Sequence, residues 1–308
     1  MIPALVLTAG LATRLRPLSF VRAKAALPVA GEPLAQRILR QLAAGGVRDA
    51  VLNLHHLPHT LTTLLGDGGD VGVRVRYSWE VPVLGSAGGP RRALPLLGAA
   101  TFLIVNGDTL TDAPLAPLAE AHAASGALVT MAVVPNTEPH RYSGLRVDTG
   151  GAVLGVEPRG SSRPSYHFIG VQAAERRAFL SLAPGRLANS VGELYADLIA
   201  AKPGCIRAAP CTATFWDIGT VHDYWTTSRA FDAQARPSAA PPSAHVAATA
   251  RIIDSIVWDG VVIGAGAHVE RCIVTDGVRV DPGASYTDMI LRRGADGGTL
   301  SEPRNAEP

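Results

Sequence analysis

The sequence predicts an α/β fold with a mainly parallel sheet, followed by a short β-solenoid. Three observations carry this. Up to residue 134, short apolar runs alternate with segments of helical apolar spacing. A stretch rich in Ala, Pro and Ser then interrupts the chain at 233–245. Beyond it the sequence repeats itself: Asp254–Val261 (DSIVWDGV) is answered by Arg271–Val278 (RCIVTDGV) after seventeen residues, and Thr287–Leu291 begins a third copy.

The first run, Ile2–Leu7, reads as a strand. Leu34–Ala44 reads as a helix, with Leu34, Ile38, Leu39 and Leu42 on one face and Gly45-Gly46 as its stop. Strands follow at Ala50–Leu54, Val73–Tyr77, Thr101–Val105 and Ala127–Val134. Helices are expected at His59–Leu65, Ser86–Leu96 and Leu115–Ser125. A hairpin is expected from Leu145–Val147 and Val153–Val156 around Asp148–Gly151. A strand at His167–Val171, helices at Glu175–Leu182 and Val191–Ala200, a strand at Ala213–Ile218 and a closing helix at Val221–Ala233 complete this part. In the solenoid, Ile263–Ala267 is echoed by Asp281–Ala284 at a shift of about eighteen. The expected division is 1–232 for the first domain, 233–245 for the linker, 246–291 for the solenoid and 292–308 for a disordered polar tail.

Composition narrows the function classes. Hydrophobic residues make up 47% and charged residues 18%, which excludes a disordered chain. A net charge of +2 gives no electrostatic case for a nucleic-acid or membrane surface. The three cysteines, Cys205, Cys211 and Cys272, lack metal-ligand spacing and read as small hydrophobes in a reducing compartment. No apolar run is long enough to span a membrane, and the expected location is cytoplasmic. The solenoid is too short to stand alone, so it is expected to dock on the first domain or on a partner subunit.

Chemistry concentrates where strands end. Leu7–Leu18 (LTAGLATRLRPL) leaves the first strand through small residues and brings in Arg14, with Lys24 ten residues later. Free backbone N–H groups beyond a buried strand, beside a guanidinium fork and a compact ammonium, suit phosphate. Lys24 and Lys202 are the only lysines in an arginine-rich chain, so the lysine at 24 points to a site that a guanidinium would not serve. Asp108, in Asn106-Gly107-Asp108, and Asp217, in Trp216-Asp217-Ile218-Gly219, close apolar strands. Each is placed to meet a hard cation such as Mg²⁺. Trp79–Gly89 is a second glycine-rich loop, with bare backbone for a base and ribose to lie against.

These motifs, in this order, resemble the sugar-nucleotide pyrophosphorylases, closest to the mannose-1-phosphate guanylyltransferase branch. The resemblance spans residues 1 to about 232, and the solenoid resembles the left-handed β-helix that many members append. It implies a Rossmann-like nucleotidyltransferase domain and two substrates, a nucleoside triphosphate and a sugar 1-phosphate, with Mg²⁺. By resemblance, Ala9, Gly10, Leu11, Ala12 and Thr13 hold the triphosphate with Arg14, and Lys24 serves the α-phosphate. Glu80, Gly85, Ser86, Ala87 and Gly88 border the base and ribose. Asp108 and Asp217 hold the metal. Tyr142, Gly144, Glu157 and Arg159 serve the sugar phosphate, and a homo-oligomer could form through the β-helix.

Three positions depart from the family pattern. Ala12 replaces a glycine, Ala23 a proline, and Glu157-Pro158-Arg159 stands for Glu-Lys-Pro. The alternatives are a catalytically silent nucleotide-sugar-binding subunit and a uridylyl- or thymidylyltransferase. A glycosyltransferase would need Asp-x-Asp after the fourth strand, where Asn106-Gly107-Asp108 stands instead.

Overall fold

The computed structural model describes residues 2–234 and 240–304. Strands β1 (Ala4–Leu7), β2 (Pro28–Val29) and β3 (Glu32–Pro33) precede helix α1 (Leu34–Ala44). Then come β4 (Asp49–Leu54), α2 (Pro58–Leu65), β5 (Arg74–Trp79), α3 (Gly85–Leu97), β6 (Thr101–Asn106), β7 (Thr109–Thr111) and α4 (Leu115–Ser125). Next are β8 (Val129–Pro135), β9 (Gly144–Val147), β10 (Val153–Glu157), β11 (Tyr166–Glu175), α5 (Tyr195–Ala201), β12 (Ile206–Pro210), β13 (Phe215–Asp217) and α6 (Val221–Gln234).

The chain forms two compact units that cut across its linear order. The first contains residues 1–10 and 35–216, the second residues 11–34 and 217–308. The chain passes between the two units three times, at Gly10/Leu11, Leu34/Ala35 and Trp216/Asp217. The physical reason lies in the second unit: α6 packs on the β2–β3 ribbon, and the buried Tyr224 hydroxyl donates to Pro28 O at 2.7 Å.

In the first unit, β1, β4, β5 and β6 form the parallel heart of a nine-stranded sheet. β1 lies between β4 and β6, with Leu7 opposite both Asn53 and Asn106. All four strands therefore end on one rim, where ligands bind in such sheets. β11 runs antiparallel to β6, β8 and β9, and β9 antiparallel to β10. β11 is one ten-residue strand running through Glu175. The helix expected at Glu175–Leu182 is reduced to a 3₁₀ turn at Arg176–Phe179. Apolar Ala173 and Ala174 continue the buried ladder against β6, which extends the strand. β12 joins β8 as an edge strand that had no sequence expectation. Leu5, Val51, Phe102, Ile104 and Val129 are fully buried in the core.

In the second unit the β-helix begins at His245–Val246. The linker expected at 233–245 is partly helical, through Gln234, and residues 235–239 lie outside the described ones. Every coil pairing steps by seventeen residues: His245, Val262 and Arg279; Arg251, His268 and Ser285; Ile256, Ile273 and Ile290. The echo expected at about eighteen is the same seventeen-residue step. Left-handed backbone marks the corners at the same interval: Asp254, Arg271 and Asp288, then Gly260 and Gly277, then Gly266 and Gly283. The tail expected to be disordered is ordered to Arg304. Thr299–Pro303 pairs antiparallel with Met289–Arg293, because Gly294–Gly298 supplies a turn and Arg292 bonds Glu302 at 2.7 Å. Cys205 and Cys272 are buried, Cys211 is half-buried, and all three are free thiols. No helix among the described residues is long and apolar enough to cross a membrane.

Candidate active site

A cavity of ≈ 220 Å³ opens on the strand-end rim of the first unit, lined by Leu7, Ala9, Gly10, Asn53, Glu80, Gly85, Ser86, Asn106 and Asp108. Sequence reasoning named six of these: Ala9, Gly10, Glu80, Gly85, Ser86 and Asp108. A larger groove of ≈ 530 Å³ lies between α4 and β12, but none of the motif residues line it.

The rim is built by close approach. Gly107 N donates to Leu7 O at 3.0 Å, and a Cβ on Gly107 would meet that same oxygen at 2.5 Å. Glycine at 107 thus lets the Asp108 turn sit against the end of β1. Asn53, which sequence reasoning missed, ties the rim together. Its Oδ1 accepts from Thr8 N at 2.7 Å, and its Nδ2 donates to Glu80 Oε1 at 2.7 Å. The other Glu80 oxygen accepts from Leu84 N at 2.7 Å. Glu80 is 1% exposed, and its carboxylate ties Asn53 of β4 to Leu84 at the start of α3, one oxygen to each. A polar residue inside the apolar strand run Ala50–Leu54 was the available signal for Asn53.

The glycines that open α3 serve contact within the chain. Gly85 is left-handed at φ 76°, and a Cβ there would lie 2.6 Å from Ala188 O. Gly88 presses on the Arg186 carbonyl. Ala87 N donates to Ala188 O at 2.9 Å, and Ser190 N donates to Ser86 Oγ at 2.9 Å.

A second cluster in the first unit holds the residues expected at the sugar. Tyr142, His167 and Phe215 stack, with ring centroids 4.2 and 4.8 Å apart along the chain of three. Burial pushes the His167 imidazole below its ordinary 6.5 although the ring donates to the Ser143 backbone carbonyl, so the ring is neutral at pH 7. Glu157, 6% exposed, is met by Ser161 Oγ at 2.9 Å, Arg146 Nε at 3.3 Å and Arg163 Nη1 at 3.7 Å. Arg159, the expected phosphate partner, sits exposed on the turn Pro158–Ser161. Arg146 and Arg163 stand at the carboxylate instead. Gly144 N-terminal to them gives way to Ser165, which leaves no room for a Cβ.

The second unit carries the remaining motif residues: Leu11, Ala12, Thr13, Arg14, Lys24 and Asp217. Ala12 has φ 50° and ψ 43°, the left-handed region that glycine occupies without cost. Ala23 has φ −57° and ψ 146°, the backbone shape proline favours. Beyond Asp217, Thr220 caps α6. Its Oγ1 accepts from Asp223 N at 3.1 Å, while Asp223 Oδ2 accepts from Gly219 N and Thr220 N at 3.1 and 2.8 Å. A Cβ on Gly219 would lie 3.3 Å from Arg14 Nη2, so the guanidinium lies over that turn.

Asp108 lines the cavity in the first unit, and Asp217 belongs to the second; a carboxylate is the kind of hard oxygen donor that Mg²⁺ takes. Among the described residues no three His, Cys, Asp or Glu side chains gather as a metal group.

The family model for nucleotidyl transferases matches residues 3–234. The chain belongs to that family. A second model, for the GlmU-like C-terminal hexapeptide, matches residues 228–286 and makes the solenoid a left-handed β-helix. The chain is 29% identical to a mannose-1-phosphate guanylyltransferase of Mycobacterium tuberculosis over 92% of its own length and 82% of the relative's. It is 26% identical to a UTP--glucose-1-phosphate uridylyltransferase of Synechocystis sp., over 73% of this chain and 62% of the relative. Among solved structures, HddC from Yersinia pseudotuberculosis aligns with a TM-score of 0.65 at 23% identity, covering 75% of this chain and all of that one. This similarity shows the fold.

Proposed function

We propose that this chain joins a nucleoside triphosphate to a sugar 1-phosphate, releasing pyrophosphate, and that it is of the mannose-1-phosphate guanylyltransferase type. The observation that carries this reading is the strand-end cavity bearing Ala9, Gly10, Ser86 and Asp108 inside the family match. The relative covering 92% of the chain supports mannose 1-phosphate and GTP over other pairs.

An oxygen of the sugar phosphate attacks the α-phosphorus. The bond from that phosphorus to its bridging oxygen breaks, and pyrophosphate leaves with the electron pair. Two anions must meet, so neutralisation and positioning supply most of the acceleration. Arg14 and the N–H groups from Ala9 to Thr13 hold the triphosphate. Lys24 opposes the charge that builds at the α-phosphate. Asp108 and Asp217 would hold Mg²⁺, which when bound neutralises phosphate charge. Glu157 accepts from sugar hydroxyls, and Arg146 and Arg163 bring positive charge to that side in place of the family's lysine. A cytoplasmic location fits the three free thiols.

A silent subunit would have no use for both carboxylates and both basic groups, and this chain has all four. The test is pyrophosphate release across a panel of triphosphates and sugar 1-phosphates, with Asp108→Asn as the control. Release should be greatest with GTP and mannose 1-phosphate and should fall by about 100-fold or more in the variant, with an unchanged melting temperature. Equal turnover by the variant would refute the assignment.

A further inference from the structure

One corner of the β-helix grips the loop that carries Arg14 and Lys24. Arg22 stands two residues before Lys24. Its Nε donates to Asp276 Oδ2 at 2.7 Å and its Nη2 to Asp276 Oδ1 at 2.6 Å, the two-bond fork that guanidinium and carboxylate favour. The same Nη2 donates to Asp259 Oδ2 at 2.6 Å. Nη1 reaches Ala26 O at 3.4 Å, at the end of the 3₁₀ turn Lys24–Ala26. The guanidinium also lies 5.3 Å from the Trp258 ring centroid.

Asp259 and Asp276 are seventeen residues apart, which makes them the same corner position on successive coils. Arg22 therefore bonds two coils at once and needs them stacked in register. A second hold acts on the other side of Lys24. Trp258 Nε1 donates to the Tyr224 hydroxyl at 2.9 Å, and that hydroxyl donates to Pro28 O at 2.7 Å. Tyr224 is fully buried and Trp258 1% exposed. Burial would raise the Asp259 carboxyl, but the Arg22 guanidinium and the Ser243 hydroxyl outweigh it and hold it below the usual carboxylate value. The Arg22 side chain is 13% exposed, so water competes little for its bonds.

We propose that Asp259 and Asp276 act through Arg22 as positioning residues, fixing the loop that presents Lys24. The β-helix then sets the geometry of the phosphate-handling side chains. The inference rests on the functional reading above only for what Lys24 does once it is placed.

The test uses the full chain with both aspartates changed (Asp259→Asn, Asp276→Asn), and separately with Arg22→Lys. Hydrogen exchange is followed in peptides covering 16–34 and 262–274, alongside kcat and KM. In the double variant, exchange in 16–34 should rise about tenfold or more while 262–274 keeps wild-type protection. The kcat should fall about tenfold, with the sugar-phosphate KM within about twofold of wild type. Arg22→Lys, which keeps the charge and loses the fork, should fall between the two. Wild-type exchange in the loop would overturn the proposal. So would loss of protection in 262–274 together with the loop, since the aspartates would then be holding the coils themselves. If the wild-type chain transfers no nucleotide to any sugar phosphate, the functional reading fails, and the exchange measurements still decide the clamp.

Discussion

Two loops of this chain carry the glycines that drew attention in its sequence, and they use them in opposite ways. In the loop opening α3, Gly85, Gly88 and Gly89 lie so close to neighbouring groups that an added Cβ would collide. The neighbours are the carbonyls of Ala188 and Arg186 and the Glu80 carboxylate. In the loop after β1, a Cβ on Gly10 would meet nothing within 4 Å, and the position whose backbone most wants glycine is Ala12. The first loop spends its glycines on packing within the chain. The second keeps one for open space on the cavity wall. A glycine-rich string is thus ambiguous by itself; what faces the missing side chain decides its meaning.

Four substitutions test this contrast. Gly88→Ala should cost the most, about 1–3 kcal/mol of stability, because the Arg186 carbonyl is backbone and cannot step aside. Chemical denaturation would measure it, and a neutral result would show that the two loops do not differ. Ser86→Ala removes an acceptor for Ser190 N and a partner for its hydroxyl, and should lower stability by about 1 kcal/mol in the same assay. Ala12→Gly should raise stability by about 0.5–1 kcal/mol by relieving the left-handed alanine, and a loss would contradict the backbone argument. Gly10→Ala should change stability least, within about 0.5 kcal/mol, yet raise the KM for the triphosphate. An unaltered KM would remove Gly10 from the site.

Much of this was legible in sequence, because periodicity and punctuation report the backbone directly. The apolar face of α1, Leu34, Ile38, Leu39 and Leu42, is buried as its spacing required. The seventeen-residue repeat became the coil step itself. β12 escaped notice because its five residues end in Pro210 and alternate only weakly, as an edge strand can afford to. The site was legible as motifs and less so as partners. Arg146 and Glu157 are eleven residues apart, and their meeting depends on a hairpin register that includes an irregularity between Val153 and Gly155. That register sets Gly155 opposite Arg146, whose guanidinium crosses the bare backbone to reach the carboxylate. Glu80 was expected beside the ligand. Its two oxygens are taken by Asn53 and Leu84, a pairing visible only once β4 and β5 lie side by side.

The last strand of the β-helix, Thr299–Pro303, runs against the direction of all the coils before it. A parallel solenoid presents at its end the same edge it used to add each coil, and such an edge invites another chain to continue the stack. Here the chain covers one face of that edge with its own reversed strand. It fastens the strand across the neighbouring coils, with Thr299 Oγ1 donating to Arg279 O at 2.6 Å and Arg304 Nε to Arg271 O at 3.1 Å. The hairpin therefore acts as a terminator: on that face the solenoid's template is consumed by its own chain, and fibre-like extension is blocked by polarity.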